Sequence, residues 1–294
     1  MKLAVICSVT PSLLLALKQA HRGGYLKIPT LAVVHGCLAG VLTGRPRRPW
    51  NRILDIHRAM AARTPVNLRL VALGESIYAM ISRLQPQSAD QWVALDLPCI
   101  WEEQESSSSP LPPTGNLHFG FLGVSSKGFD RFARIAASVT RKFPAAEFYL
   151  VGHVNDRCRE KIGTALIRGA SKEPLSWAEY IARARRLHYT VWTGDPMHYS
   201  LTASASFLDS LSFLKPGIFL RCPYIEHYFS ILGDIGYLCN DTDEIESVIS
   251  SIIRDRPIQR YEQQRRTIAS GRSIFEPTQL SATLGRIVDR LLQS

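Results

Sequence analysis

Short apolar runs alternate with stretches of helical spacing from the first residues onward. Leu3–Ser8 has the character of a buried strand. In Pro11–Ala20, Leu13, Leu14 and Leu17 recur at helix spacing behind a proline suited to a first turn. Ile28–His35 reads as a second strand ended by Gly36, and Asn51–Arg63 as a helix with Ile53, Ile56, Met60 and Ala61 apolar. Leu68–Leu73 and Trp92–Leu97 are further strands around a helix at Ser76–Leu84. This β-α-β-α order predicts a parallel sheet covered by helices.

The alternation stops at Glu102–Gly115 (EEQESSSSPLPPTG), which is acidic, serine- and proline-rich and aperiodic, as an interdomain linker is. It then resumes. Leu117–Val124 is a strand, and Phe129–Arg141 a helix with Phe129, Phe132, Ile135, Ala136 and Val139 on one face. Ala146–Val151 is a strand, and Ser176–Arg186 a helix opened by the capping-box pair Ser176 and Glu179. Tyr189–Trp192 and Gly217–Arg221 are strands around a helix at Ser206–Leu214. Asp243–Ile253 is a helix with acids in its first turn, and a last helix starts near Thr278.

Composition narrows the class. The 294 residues suit two domains of roughly 100–200 residues each. At 46% hydrophobic, the chain can build real cores. The net charge of +10 is concentrated early. Met1–Arg63 holds ten Lys or Arg (Lys2, Lys18, Arg22, Lys27, Arg45, Arg47, Arg48, Arg52, Arg58, Arg63) against one acid, Asp55. Such a field attracts phosphates, anionic headgroups or nucleic acid. No RNP, helix-turn-helix or zinc-finger pattern supports nucleic acid as the partner. Six cysteines without a C-x-x-C pattern read as reduced, mostly buried thiols, and the histidines have no metal-binding spacing. Pro11 and Ser12 split the early apolar stretch, against a signal peptide, and no apolar run reaches the roughly 18–20 residues of a membrane span. The expected location is cytoplasmic.

Two strand-to-helix junctions carry candidate chemistry. After Leu117–Val124 comes Ser125-Ser126-Lys127-Gly128, then a helix. Small residues let a ligand approach the backbone, helix-start N–H groups bind phosphate oxygens, and Lys127 adds a charge. The alternative is a plain turn with a solvated lysine. At the second junction Thr202–Ser206 opens a helix with small hydroxyl residues, and Asp209 one turn in could accept hydrogen bonds from a ribose diol or merely complement the helix dipole.

The run Gly120–Val154 resembles the opening of the donor domain of GT-B glycosyltransferases, with strand, small-residue loop, K-G-x-D, helix and a strand ending in V-G. The run Tyr199–Asn240 is similar to the second signature of their retaining, group 1-like branch. The resemblance implies an α/β fold of two Rossmann-like parallel-sheet domains, the N-terminal one incomplete. Its implied limits are residues 1–101 for a short acceptor-side domain, 102–115 for the linker, and 116–294 for a nucleotide-sugar-binding domain with closing helices. It further implies Ser125, Ser126, Lys127, Ser204 and Ser206 around the donor diphosphate, Asp209 on the ribose, and His153 in a weaker donor contact. His35, closing the second strand beside Gly36, is the candidate general base, since a histidine titrates near neutrality; a histidine satisfied by loop backbone is the alternative. Two family positions depart: Leu201 stands where the first glutamate would be, and Phe121 or Leu122 where an arginine precedes the lysine. Stereochemistry is therefore left open.

The implied activity is sugar transfer from a nucleoside-diphosphate sugar to a hydroxyl of a saccharide or lipid-linked acceptor, without a metal or other cofactor. Arg45, Arg47, Arg48, Trp50 and Arg52 suit an anionic membrane surface, or an exposed loop of no special role. The rivals are a degenerate module of the same fold that binds without catalysis, and a nucleotide-sugar epimerase.

Overall fold

Two separate all-parallel sheets organise the chain, and the computed structural model describes residues 3–43, 55–101, 110–125 and 128–293. The first sheet has the order β1-β2-β3-β4. Its elements are β1 (Ala4–Ile6), α1 (Pro11–Arg22), β2 (Thr30–Val33), α2 (Ile56–Ala61), β3 (Leu68–Ala72), α3 (Glu75–Leu84) and β4 (Trp92–Ala94). Each falls where the apolar pattern puts it, with residues 51–54 of the expected helix Asn51–Arg63 lying outside the described residues. The described helix at Ile56 starts on Asp55, whose carboxylate accepts the His57 amide at 3.0 Å. Lys18 of α1 is buried, and its ammonium donates to the Ala59 and Ala62 carbonyls at 2.8 and 2.7 Å. That bond pair caps the last turn of α2 and ties it to α1. Burial pulls the Lys18 pKa down to about 8.

The second sheet has the order β6-β5-β7-β8-β9. Its elements are β5 (Leu117–Leu122), α4 (Phe129–Lys142), β6 (Ala146–Val151), α5 (Arg159–Thr164), α6 (Trp177–Arg185), β7 (Tyr189–Trp192), α7 (Pro196–Tyr199), α8 (Ala205–Ser212), β8 (Gly217–Leu220), α9 (Pro223–Leu232), β9 (Gly236–Cys239), α10 (Thr242–Asp255) and α11 (Ile258–Gly271). The period-2 alternation of β5 sorts its two faces. Phe119 stacks on Phe148, and Phe121 meets Phe129 edge-on and Phe132 at a tilt, under α4. Gly120 and Leu122 face the other side, where Leu122 joins Val151, Ile181, Ala184, Leu187 and Phe213 beneath α6 and α8. A Cβ on Gly120 would come within 2.1 Å of Leu187, so the helix-facing side of this strand needs glycine there. α10 lies beside α4, with Glu246 accepting from Ser138 at 2.8 Å.

Two compact units result. One comprises Met1–Ile100, Met197–Ala203 and Ile274–Ser294; the other comprises Trp101–Pro196 and Ser204–Ser273. This redistributes the expected boundaries. The closing helix α12 (Pro277–Gln293) packs Ile287 and Leu291 on Leu31 and Val71 of the first sheet, so it belongs to the first unit. An amphipathic stripe specifies that a helix needs a partner face, and not which one. The described end of the expected linker is likewise part of the second unit. Leu111 is buried, and Arg256 donates to the Gly115 carbonyl at 2.6 Å. Of the thiols, Cys158, Cys222 and Cys239 are buried and Cys7 is exposed; all six are free. Among the described residues no helix is long and apolar enough to cross a membrane.

Candidate functional site

In the second unit the chain leaves β5 for β6 on one side and returns through α6 to β7 on the other. The connection reverses between β5 and β7, and ligands of doubly wound sheets bind outside the carboxyl ends of strands at such a switch point. The described second-unit segments at those strand ends are Gly123–Ser125, Gly128, Gly152–Asn155 and Thr193–Pro196, with Ser204 at the head of α8.

Glycines let these loops touch. Gly128, the N-cap of α4, has φ +108, and a Cβ on it would lie 2.1 Å from the Thr193 carbonyl oxygen. The Thr193 hydroxyl donates back to the Gly128 carbonyl at 2.9 Å. Gly152 leaves no room either: its Cβ would lie 1.8 Å from the Gly123 carbonyl oxygen. The start of α4 is thereby held against the end of β7, with the first-turn amides of a 14-residue helix at the crevice. Arg131, in that first turn and half-buried, donates to the Thr193 carbonyl at 3.3 Å. It is a cation the sequence reading passed over, because an arginine on the polar side of an amphipathic helix carries no distinguishing pattern.

Ser125 is fully buried, and its hydroxyl accepts the Asn155 amide at 2.8 Å while its own amide donates to the His153 carbonyl at 3.1 Å. It stitches the β5 loop to the β6 loop. Ser204 has a comparable structural role. It is buried at the N-cap of α8, where its hydroxyl accepts from the Phe207 amide at 3.2 Å and the Trp192 indole at 3.0 Å. A small hydroxyl residue at a helix start serves a cap and a ligand equally well, so composition could not separate the two. Ser206, half-buried, lies 3.1 Å from Ser204 by its hydroxyl oxygen. His153 is half-buried where β6 runs out, its backbone bridged to Ser171. Ser126 and Lys127 lie outside the described residues, as do Arg45, Arg47, Arg48, Trp50 and Arg52.

Asp209 is more than a dipole complement. It sits on α8 with one carboxylate oxygen accepting the Tyr180 hydroxyl of α6 at 2.7 Å. Burial raises the Asp209 pKa above the ordinary carboxylate value, and the Tyr180 bond pulls it back. Burial together with the Asp209 charge drives the Tyr180 phenol far up, so it stays a donor. Tyr180 is held in turn. Its ring stacks on Trp177 (5.6 Å, 14°) and leans on Phe213 (6.0 Å). The capping box of α6 is complete, with the Ser176 hydroxyl accepting the Glu179 amide and Glu179 accepting the Ser176 amide. The capping box was legible in the sequence, but the Tyr180–Asp209 pair, 29 residues apart, was not.

In the first unit His35 is half-buried two residues beyond β2, and Gly36 follows at φ +78. Among the described residues no three His, Cys, Asp or Glu side chains cluster as a metal site would need.

Two Rossmann-like parallel sheets with this connectivity are the GT-B fold. Solved structures similar to this chain include glycosyltransferases. WaaG, involved in lipopolysaccharide biosynthesis, is 14% identical, with a TM-score of 0.61 over 94% of this chain and 81% of its own. A mutant TarM of S. aureus, solved with Fondaparinux, alpha-GlcNAc-glycerol and UDP, is 11% identical, with a TM-score of 0.58 over 93% of this chain and 54% of its own. The pneumococcal O-GlcNAc transferase GtfA, solved with UDP and GlcNAc, is 12% identical, with a TM-score of 0.56 over 95% of this chain and 60% of its own. The chain thus spans little more than half the length of TarM and GtfA. No protein-family model and no curated protein matches the sequence.

Proposed function

We propose that the protein is a glycosyltransferase that takes its sugar from a nucleoside-diphosphate sugar bound by the second unit. The reading is supported by the α4 start packed on the end of β7 through Gly128 and Thr193, by the Trp192 indole donating to Ser204 at the head of α8, and by the half-buried, tyrosine-held carboxylate of Asp209. Asp209 accepts from the ribose diol through the carboxylate oxygen that Tyr180 leaves open. The α4 amides, Lys127, Ser126, Arg131 and Ser206 meet the charge of the departing diphosphate, and Ser125 and Ser204 set the loops that do so. His153 borders the same loops. Stabilising the leaving group is then the main catalytic contribution, and no metal is needed for it. His35 is the general base toward the acceptor hydroxyl. The acceptor is a saccharide or lipid-linked saccharide in glycan assembly, reached from the cytoplasm, with Arg45–Arg52 meeting an anionic membrane face. UDP in the TarM and GtfA structures supports the donor class.

The test is a thermal-shift panel of nucleoside diphosphates and nucleotide sugars. A ligand at 100 times its Kd stabilises by about 2.7 kcal/mol. One nucleotide class should raise Tm, Lys127→Ala and Asp209→Ala should abolish the rise, and EDTA should leave it unchanged. The reading is abandoned if no nucleotide shifts Tm. The losses at Leu201 and at the arginine position favour a second reading, a binding module without turnover, for which the nucleotide shift persists while transfer and donor hydrolysis are absent.

A further inference from the structure

Of the four described tryptophans, Trp92 and Trp192 are buried and Trp101 half-buried, whereas Trp177 is 59% exposed. An indole of that size is normally drawn largely out of water, so its exposure at a rigid position calls for a physical reason. The position is rigid. Trp177 is the first residue of a capped helix, its ring stacks on Tyr180 at 14°, and Arg183, further along, ties α6 to the Gly169 carbonyl at 2.7 Å. Tyr180 then links the stack to Asp209. Carboxylate, phenol and indole thus form one chain of contacts from α8 to the start of α6. A nucleoside has the same order of parts, a diol at one end and a flat π-face at the other.

We infer that the Trp177–Tyr180 stack is the platform for the nucleobase, with the base lying on the indole while the ribose meets Asp209. The inference rests on the nucleotide reading above and adds the recognition of the base. Stacking on an indole is tolerant of base identity because every base has a π-face, so the platform supplies affinity and leaves the choice of base to neighbouring edges. A groove between α4 and α5 lined by Ala133, Ala137 and Ala165 has nothing to indicate its occupant. The His118, Glu147 and Arg168 cluster satisfies itself.

The experiment is calorimetric titration of the full chain with UDP, ADP and inorganic pyrophosphate, in wild type, Trp177→Ala, Trp177→Phe and Asp209→Ala. Trp177→Ala should weaken the tighter nucleotide about 5- to 150-fold, the range that stacking implies. It should leave pyrophosphate within about twofold, and Trp177→Phe should recover most of the loss. Binding should also quench tryptophan emission in wild type and not in Trp177→Phe. Equal nucleotide affinity in Trp177→Ala and wild type, with loss in Asp209→Ala, overturns the platform and spares the nucleotide site. An equal loss for pyrophosphate and nucleotide in Trp177→Ala also overturns it, since the indole then only holds the fold. Absence of nucleotide binding in wild type overturns both.

Discussion

Replacing Tyr180 with Phe removes one oxygen and leaves the ring that stacks on Trp177 and Phe213. What is lost is the 2.7 Å hydrogen bond to Asp209. A hydrogen bond to a charged group contributes about 1.5–3 kcal/mol, and the exposed edge of the carboxylate places the expected loss toward the lower end. For a unit of this size about 2 kcal/mol corresponds to roughly 4–8 °C in Tm. The loss depends on pH in a definite direction. Burial already holds the Asp209 pKa above its unfolded value, and Tyr180 partly offsets that. A carboxyl with a raised folded pKa costs stability above that pKa and nothing below its unfolded value. Without the phenol the pKa rises further, so Tyr180→Phe is most destabilised near neutrality and regains stability as the solution is acidified toward the unfolded carboxylate range. The assay is a double-mutant cycle of Tyr180→Phe and Asp209→Asn, by urea unfolding at neutral and mildly acidic pH. The coupling energy should be about 1.5–3 kcal/mol near neutrality and shrink in acid. A coupling below about 0.5 kcal/mol, or one that does not change with pH, refutes the account of how the carboxylate is held.

Other outcomes follow from the same structure. Gly128→Ala forces a side chain into φ +108 and against the Thr193 carbonyl, so it should cost at least about 1–3 kcal/mol in denaturant unfolding and weaken nucleotide binding. Ser176→Ala deletes the α6 cap and should cost about 0.5–2 kcal/mol, read by thermal melting, with a smaller secondary loss of nucleotide affinity through Tyr180. Lys215 is buried, bonded to the Arg185 carbonyl, and burial lowers its pKa to about 7 from 10.5. Its unfolded form takes up a proton that the fold resists, so wild-type stability should rise between about pH 7 and about pH 10.5, and Lys215→Met should flatten that rise in urea titrations.

The local plan was written in the chain. Apolar runs of buried-strand length and helix-period stripes located β5, α4, β6 and β7 within a residue or two, because those periods act over a few neighbours. The α6 capping box was explicit in Ser176 and Glu179 for the same reason. The short, mixed segment from Pro223 to Cys239 gave no such signal, and α9 and β9 within it had to be seen. Partnership over distance belonged to the tertiary structure. It sent α12 to the first sheet, buried Ser125 and Ser204 in loop and cap bonds, and set Tyr180 against Asp209. A side chain's type limits which bonds it can make; which of them it makes is decided by what packing brings within about 3 Å of it.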